Sequence, residues 1–110
     1  GRLRIYGLKN CDSCRAALRD LVAAGHAASL VDLREAGLPD ALRDRALAQF
    51  GAGLVNRRST TWRGLDAAAQ NAAPVALLAA HPSVMKRPLI EAGGQLYLGW
   101  DAGTKAALLG

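Results

Sequence analysis

Cys11 and Cys14, separated by Asp12 and Ser13, are the residues of this 110-residue chain whose type and spacing bear most directly on chemistry. Two thiols this close in sequence form a local redox pair; they cannot build a disulfide scaffold. A cysteine at the first turn of a helix faces unpaired backbone N–H groups and the positive end of the helix dipole, and both favour thiolate over thiol. Cys11 is expected in that place. Lys9 and Arg15 add positive charge nearby and Asp12 opposes them, so the Cys11 pKa is expected to fall. Cys14 lies one turn later, on the stripe of Ala17, Leu18 and Leu21, where a partly buried thiol can resolve a mixed disulfide or fill space. A zinc site is not expected, because structural zinc normally takes four Cys or His ligands and His26 and His81 lie far apart in sequence. Cysteine usage of this kind gives a cytoplasmic location as the default expectation.

The remaining candidates are basic. Lys and Arg number 14 against 9 Asp and Glu, for a formal charge of +5. That balance favours an anionic ligand without identifying a nucleic-acid binder, and no direct nucleic-acid contact is expected. Arg57, Arg58 and Arg63 form one cluster, whose ordinary role is a solvated surface. Arg87 precedes Pro88. The longest uncharged stretch, residues 67–85, contains Gln70, Asn71, Pro74, His81, Pro82 and Ser83, so no membrane span is expected.

The elements that must position these residues follow from periodicity. Leu3 to Tyr6 alternates as a half-buried strand, Gly7 to Asn10 supplies turn chemistry, and a helix is expected over about Asp12 to Ala24, stopped near Gly25. Ala28 to Leu33 reads as a second strand, parallel to the first because a helix joins them, so residues 3–33 form a βαβ unit. A helix is expected from Pro39 to Gly51, with Leu42, Ala46, Leu47 and Phe50 on one side. Val55 to Trp62 is too polar and rich in hydroxyl groups for one assignment. Alanine content favours helix again further on, from Ala73 to Ala80, ended by His81-Pro82. Pro88 to Glu91 and Gln95 to Gly99 flank the turn Ala92-Gly93-Gly94 as a hairpin, and a closing helix is expected over Ala102 to Leu109. This order gives an α/β domain spanning 1–110, with a small mixed sheet, helices on its faces and a central helical insertion.

Three separated segments carry a resemblance. Residues 6–14 (Tyr6-Gly7-Leu8-Lys9-Asn10-Cys11-Asp12-Ser13-Cys14), 54–65 (Leu54 through Arg57, Arg58 and Trp62 to Leu65) and 81–89 (His81-Pro82 through Arg87-Pro88 to Leu89) resemble the motifs of the ArsC/Spx family, most closely its YffB-like branch of arsenate reductase homologues. The resemblance covers essentially the whole chain in order. It implies a thioredoxin-like fold, a mixed four-stranded sheet built from βαβ and ββα parts. The core would fall over about 1–35 and 84–110, the insertion over about 36–83, and Pro88 would be a cis-proline facing the active cysteine. It also implies that Cys11 is the nucleophile and that Arg87 and an arginine of the middle segment bind the oxyanion; Arg58 is the first choice for the latter and Arg57 the other. Forked guanidinium donors suit a tetrahedral oxyanion. The implied co-substrate is glutathione, with glutaredoxin as the partner the resemblance allows and no bound cofactor.

Two departures bear on the substrate. Arsenate reductases carry a further arginine past the hairpin, where this chain reads Tyr97-Leu98-Gly99-Trp100-Asp101. Cys14 is absent from the standard arsenate reductase motif and would permit an internal disulfide with Cys11. The expectation is therefore a thiol-dependent reductase of a small oxyanion or a disulfide, with the disulfide preferred. The alternative is an Spx-like redox-sensing module that binds RNA polymerase, against which stands the absence of the long C-terminal portion of such regulators.

Overall fold

A computed structural model describes residues 2–110. The chain divides into two compact units, Gly1–Ala36 with Arg87–Gly110, and Gly37–Lys86.

The first unit contains the sheet. Strand β1 (Arg2–Gly7) leads into helix α1 (Asp12–Ala23), strand β2 (Ala27–Asp32) and a single-turn helix α2 (Leu33–Ala36). After the second unit, β3 (Leu89–Ala92), β4 (Gln95–Leu98) and the closing helix of Ala102–Leu109 complete it. The strand order is β2-β1-β3-β4, with β1 parallel to β2 and antiparallel to β3, and β3 antiparallel to β4. This is the mixed four-stranded sheet of a thioredoxin-like fold. Alternation along β1 sends Leu3 and Ile5 into a cluster with Ala17 and Leu21 of α1 and Ile90 of β3, all nearly fully buried. Trp100 and Leu108 pack on this cluster. Two hydrogen bonds tie it to the C-terminal segment: Trp100 Nε1 donates to Asp20 Oδ2 at 3.1 Å, and His26 Nε2 donates to the Leu108 carbonyl at 3.0 Å. The hairpin turn is Gly93-Gly94, both at positive φ (56° and 81°), which a two-residue turn matching the strand twist requires.

The strand expected to end at Leu33 ends at Asp32, because Leu33 already starts α2 and buries its side chain there. A four-residue helix offers too few positions for periodicity to show.

The second unit holds α3 (Asp40–Phe50), α4 (Thr60–Arg63), α5 (Ala67–Gln70) and α6 (Pro74–Ala80), and with these the closing helix becomes α7. Leu42 and Ala46 of α3 and Leu77 and Leu78 of α6 are buried. Pro74 opens α6 at a position where its missing N–H costs nothing, and His81 caps the other end by donating its backbone N–H to the Leu77 carbonyl. The polar stretch without an assignment resolves into α4, started by Ser59, whose Oγ accepts the Trp62 N–H at 3.1 Å. Residues 84–86, expected with the C-terminal core, group here instead. Lys86 N–H donates to the Leu54 carbonyl at 2.7 Å, Asn56 N–H donates to the Val84 carbonyl at 2.7 Å, and Val55 bridges Met85.

Among the described residues, no helix is long and apolar enough to cross a membrane.

Candidate active site

Gly7 ends β1, and Leu8 to Asn10 turn the chain so that Cys11 becomes the N-cap of α1. The Cys11 N–H donates to the Leu8 carbonyl at 3.1 Å, and its own carbonyl accepts the Arg15 N–H at 3.0 Å, which starts the helix. The backbone at Cys11 is extended, as an N-cap requires. Cys14, one turn on, is fully buried. The two residues come within 3.4 Å of each other, and both cysteines are free.

The thiols have opposite electrostatic fates. Partial burial would raise the Cys11 pKa, but the Ser13 hydroxyl, 3.3 Å from the sulfur, outweighs it together with three further donors. These are the Cys14 backbone N–H, which faces the sulfur without closing a full hydrogen bond, the Cys14 thiol and the Arg87 guanidinium. The Cys11 pKa is lowered to about 7. That of Cys14 is raised to about 12, first by burial and then by the hydrogen bond and negative charge of Cys11. At neutral pH about half of Cys11 is therefore thiolate, whereas Cys14 stays protonated.

The cations expected to act on Cys11 from nearby in sequence are engaged elsewhere. Lys9 Nζ pairs with Glu35 at 2.8 Å and Arg15 Nη2 with Asp12 at 2.7 Å, both at the surface. The charge that does reach the thiol comes from Arg87, distant in sequence and delivered by the fold. The peptide bond between Arg87 and Pro88 is cis, as the resemblance implies, and Pro88 is fully buried.

Gly7 makes the packing possible. A Cβ built on it would fall onto the Cys14 sulfur, with the Cys14 Cβ at 3.3 Å and the Arg87 Cβ at 4.0 Å. A side chain there is incompatible with the buried thiol, so this glycine is required for close approach and not for its backbone angle.

Two residues that sequence reasoning left out of the site belong to its surroundings. Ser13, like Asn10, carries a side chain as suited to shaping the loop as to chemistry, and the contact with Cys11 singles it out. Asp32, read as part of a strand, is buried and accepts the Lys9 backbone N–H at 2.9 Å. The available signal was a lone carboxylate ending a strand with no other charged residue.

Arg58, the candidate of the middle segment, lies in the second unit. Its backbone N–H donates to Asn56 Oδ1 at 3.0 Å, and with Arg57, Lys86 and Asn56 it lines a concavity of about 660 Å³ that has no carboxylate in its wall. Arg57 sits over the Trp62 ring, 5.5 Å from its centre. Both arginines therefore share one lining, and the alternative between them is not one of inside against outside.

The chain is 38% identical over 104 residues to a protein of Haemophilus influenzae whose role is uncharacterised, covering 90% of this chain and 91% of the other. A solved YffB protein superposes with a TM-score of 0.87 at 31% identity, covering 98% of this chain and 99% of that one. An arsenate reductase (ArsC) related protein from Brucella melitensis does so with a TM-score of 0.71 at 32% identity, covering 97% and 93%. The model of the ArsC family matches residues 6–107, a span that takes in the cysteine pair, the arginine segment and Arg87-Pro88 together. With its sheet, its motifs and nearly its whole length accounted for by that match, the chain belongs to the ArsC family.

Proposed function

We propose that this protein is a thiol-dependent reductase in which Cys11 is the nucleophile, Cys14 resolves the intermediate, and the substrate is a disulfide in preference to a small oxyanion. The observation that carries this reading is the placement of the two free thiols: Cys11 is half-buried at the N-cap of α1 with the Ser13 hydroxyl 3.3 Å from its sulfur, and Cys14, 3.4 Å away, is fully buried, which lowers the pKa of the first and raises that of the second.

The Cys11 thiolate attacks one sulfur of a substrate disulfide, forming a mixed disulfide and releasing the other sulfur as a thiolate that takes a proton from water. The substrate bond is half reduced at that point. Once Cys11 is bonded to sulfur it carries no negative charge, so two of the influences that hold the Cys14 proton, the charge of Cys11 and its hydrogen bond, disappear together. Cys14 then attacks the Cys11 sulfur and breaks its bond to the substrate, the Cys14 proton passing to the departing substrate sulfur, which leaves a Cys11–Cys14 disulfide and frees the second substrate thiol. Two molecules of glutathione return the pair to dithiol and become glutathione disulfide, which balances the two electrons.

Arg87 stabilises the anionic form of Cys11 and offers forked donors to an anionic group on the substrate. Arg58, with Arg57 and Lys86, gives the second unit a basic concavity suited to a carboxylate or oxyanion, and Pro88, fully buried, holds the chain that carries Arg87.

The test is a panel of arsenate, glutathione disulfide and a glutathione mixed disulfide, coupled to NADPH consumption through glutathione reductase where the chemistry allows. Mixed-disulfide reduction that disappears in Cys11→Ser is the expected result. Efficient arsenate turnover with no disulfide reduction would contradict the substrate order, and activity surviving in Cys11→Ser would contradict the nucleophile. A chain inactive on all three would return the case to a redox-sensing module.

A further inference from the structure

We propose that Asp32 is a positioning residue for the thiol centre: its buried carboxylate fixes the turn of residues 8–10 and thereby the place of Cys11 at the start of α1. The assignment rests on the reading of Cys11 as the nucleophile and adds to it a residue that touches neither sulfur nor substrate.

Asp32 ends β2 in register with Gly7, which ends β1, so the two strands deliver their last residues side by side beneath the turn. Its side chain is 1% exposed. A carboxylate that far from water is tolerated only when donors satisfy it. Four do: Oδ1 accepts the Arg34 backbone N–H at 2.8 Å and Arg34 Nε at 3.4 Å, while Oδ2 accepts the Lys9 backbone N–H at 2.9 Å and Arg34 Nη2 at 3.1 Å. The Arg34 side chain foremost, and then the Lys9 N–H, hold the carboxyl well below the usual carboxylate range, so it stays an acceptor at any pH the protein meets.

Of these bonds, the one to Lys9 reaches across to the active turn. Lys9 stands two residues before Cys11, and the intervening geometry is closed by the Cys11 N–H to Leu8 carbonyl bond at 3.1 Å. A second link, Lys9 Nζ to Glu35 at 2.8 Å, joins the same turn to α2, but both partners are more than half exposed and such a pair contributes little. The buried bond is the anchor. Cys11 draws its thiolate character from the Ser13 hydroxyl, the Cys14 N–H and thiol, and Arg87, and all of these depend on where the turn places the sulfur.

Field and position predict opposite signs. Replacing Asp32 by Asn removes a negative charge and leaves the Arg34 cation unpaired. If Asp32 acted on Cys11 through its field, the thiol pKa would drop further and alkylation at neutral pH would speed up. If Asp32 acts by position, the amide can no longer accept from every donor that it faces, the turn loosens, and the Cys11 pKa climbs toward its ordinary value near 9.0.

The experiment follows iodoacetamide modification of Cys11 against pH, resolved by peptide mass spectrometry, in wild type, Asp32→Asn and Glu35→Gln. The expected midpoint moves up by about one unit in Asp32→Asn, which slows alkylation at pH 7 about fivefold from the smaller thiolate fraction, and stays in place in Glu35→Gln. Hydrogen exchange at the Lys9 amide of wild type supplies a second readout that needs no variant. Protection comparable to the strand amides is expected, and free exchange would overturn the proposal, as would an unchanged or lowered midpoint in folded Asp32→Asn. A wild-type midpoint near 9 would instead overturn the low-pKa nucleophile itself, so the two failures are separable.

Discussion

A serine hydroxyl and an arginine from the far end of the chain help to bring the Cys11 thiol into its titrating range at neutral pH, and each can be removed singly. Ser13→Ala takes away the largest favourable contribution to the anion. A hydrogen bond to a charged group, discounted for the solvent that reaches Cys11, corresponds to about 0.5–1 unit of pKa. The midpoint of Cys11 alkylation should rise by that amount in Ser13→Ala and stay unchanged in Arg15→Ala, whose guanidinium is occupied by Asp12. Cys11 and Cys14 were legible as a reactive and a buried thiol because helix periodicity alone separates the N-cap from the core stripe. The source of the charge was not. Lys9 and Arg15 are near Cys11 in sequence, but surface carboxylates claim both, while Arg87 reaches the sulfur only because the chain returns to β3 beside β1.

At the level of elements, the close approach of β1 to α1 is the most exacting feature, and Gly7 is where it can be tested. Gly7→Ala forces a methyl group onto the Cys14 sulfur in a filled core, so a loss of about 1–3 kcal/mol is expected in urea unfolding. Removing the sulfur should relieve most of it. The double variant Gly7→Ala/Cys14→Ala keeps only a Cβ contact at 3.3 Å, and its loss relative to Cys14→Ala should be well below that of Gly7→Ala relative to wild type. Equal losses in the two backgrounds would show that the sulfur is not the obstacle. Elements with strong local signals stood out in the sequence: the Gly93-Gly94 hairpin, the Pro74 helix start and the amphipathic α1. Helices of four residues did not, since α2, α4 and α5 span barely one turn and a repeat needs at least two turns to show. For α4 the usable signal was Ser59 as an N-cap, three residues before the Trp62 N–H it accepts.

For the molecule as a whole, the question is which anion its excess positive charge serves. The chain offers Arg87 by the thiol and Arg57, Arg58 and Lys86 around the concavity of the second unit, but Tyr97-Leu98-Gly99-Trp100-Asp101 has no basic residue where arsenate reductases carry one. One missing guanidinium, at about 1.5–3 kcal/mol for a charged hydrogen bond, is expected to weaken arsenate binding on the order of tenfold to a hundredfold. A glutathione-bearing substrate would spread its carboxylate contacts over several groups and lose less. Arg58→Ala should accordingly raise KM for a glutathione mixed disulfide about threefold to tenfold with kcat nearly constant, because an exposed contact that does not change during the reaction contributes equally to ground and transition states. A fall in kcat with constant KM would move Arg58 to the reacting centre. The family and the sheet could be read from three short motifs and from alternation, whereas the substrate depends on side chains that only the folded chain assembles. All of this depends on Cys11 being a thiolate while Cys14 is not, and the pH dependence of iodoacetamide alkylation, measured separately for each cysteine, tests that directly. A thiol whose folded pKa lies below its ordinary value gains reactivity as pH rises through the lowered value. Cys11 should therefore be half-reactive near pH 7 and fully reactive by about pH 8.5, with Cys14 silent throughout. Faster modification of Cys14, or a Cys11 midpoint near 9, would contradict the account.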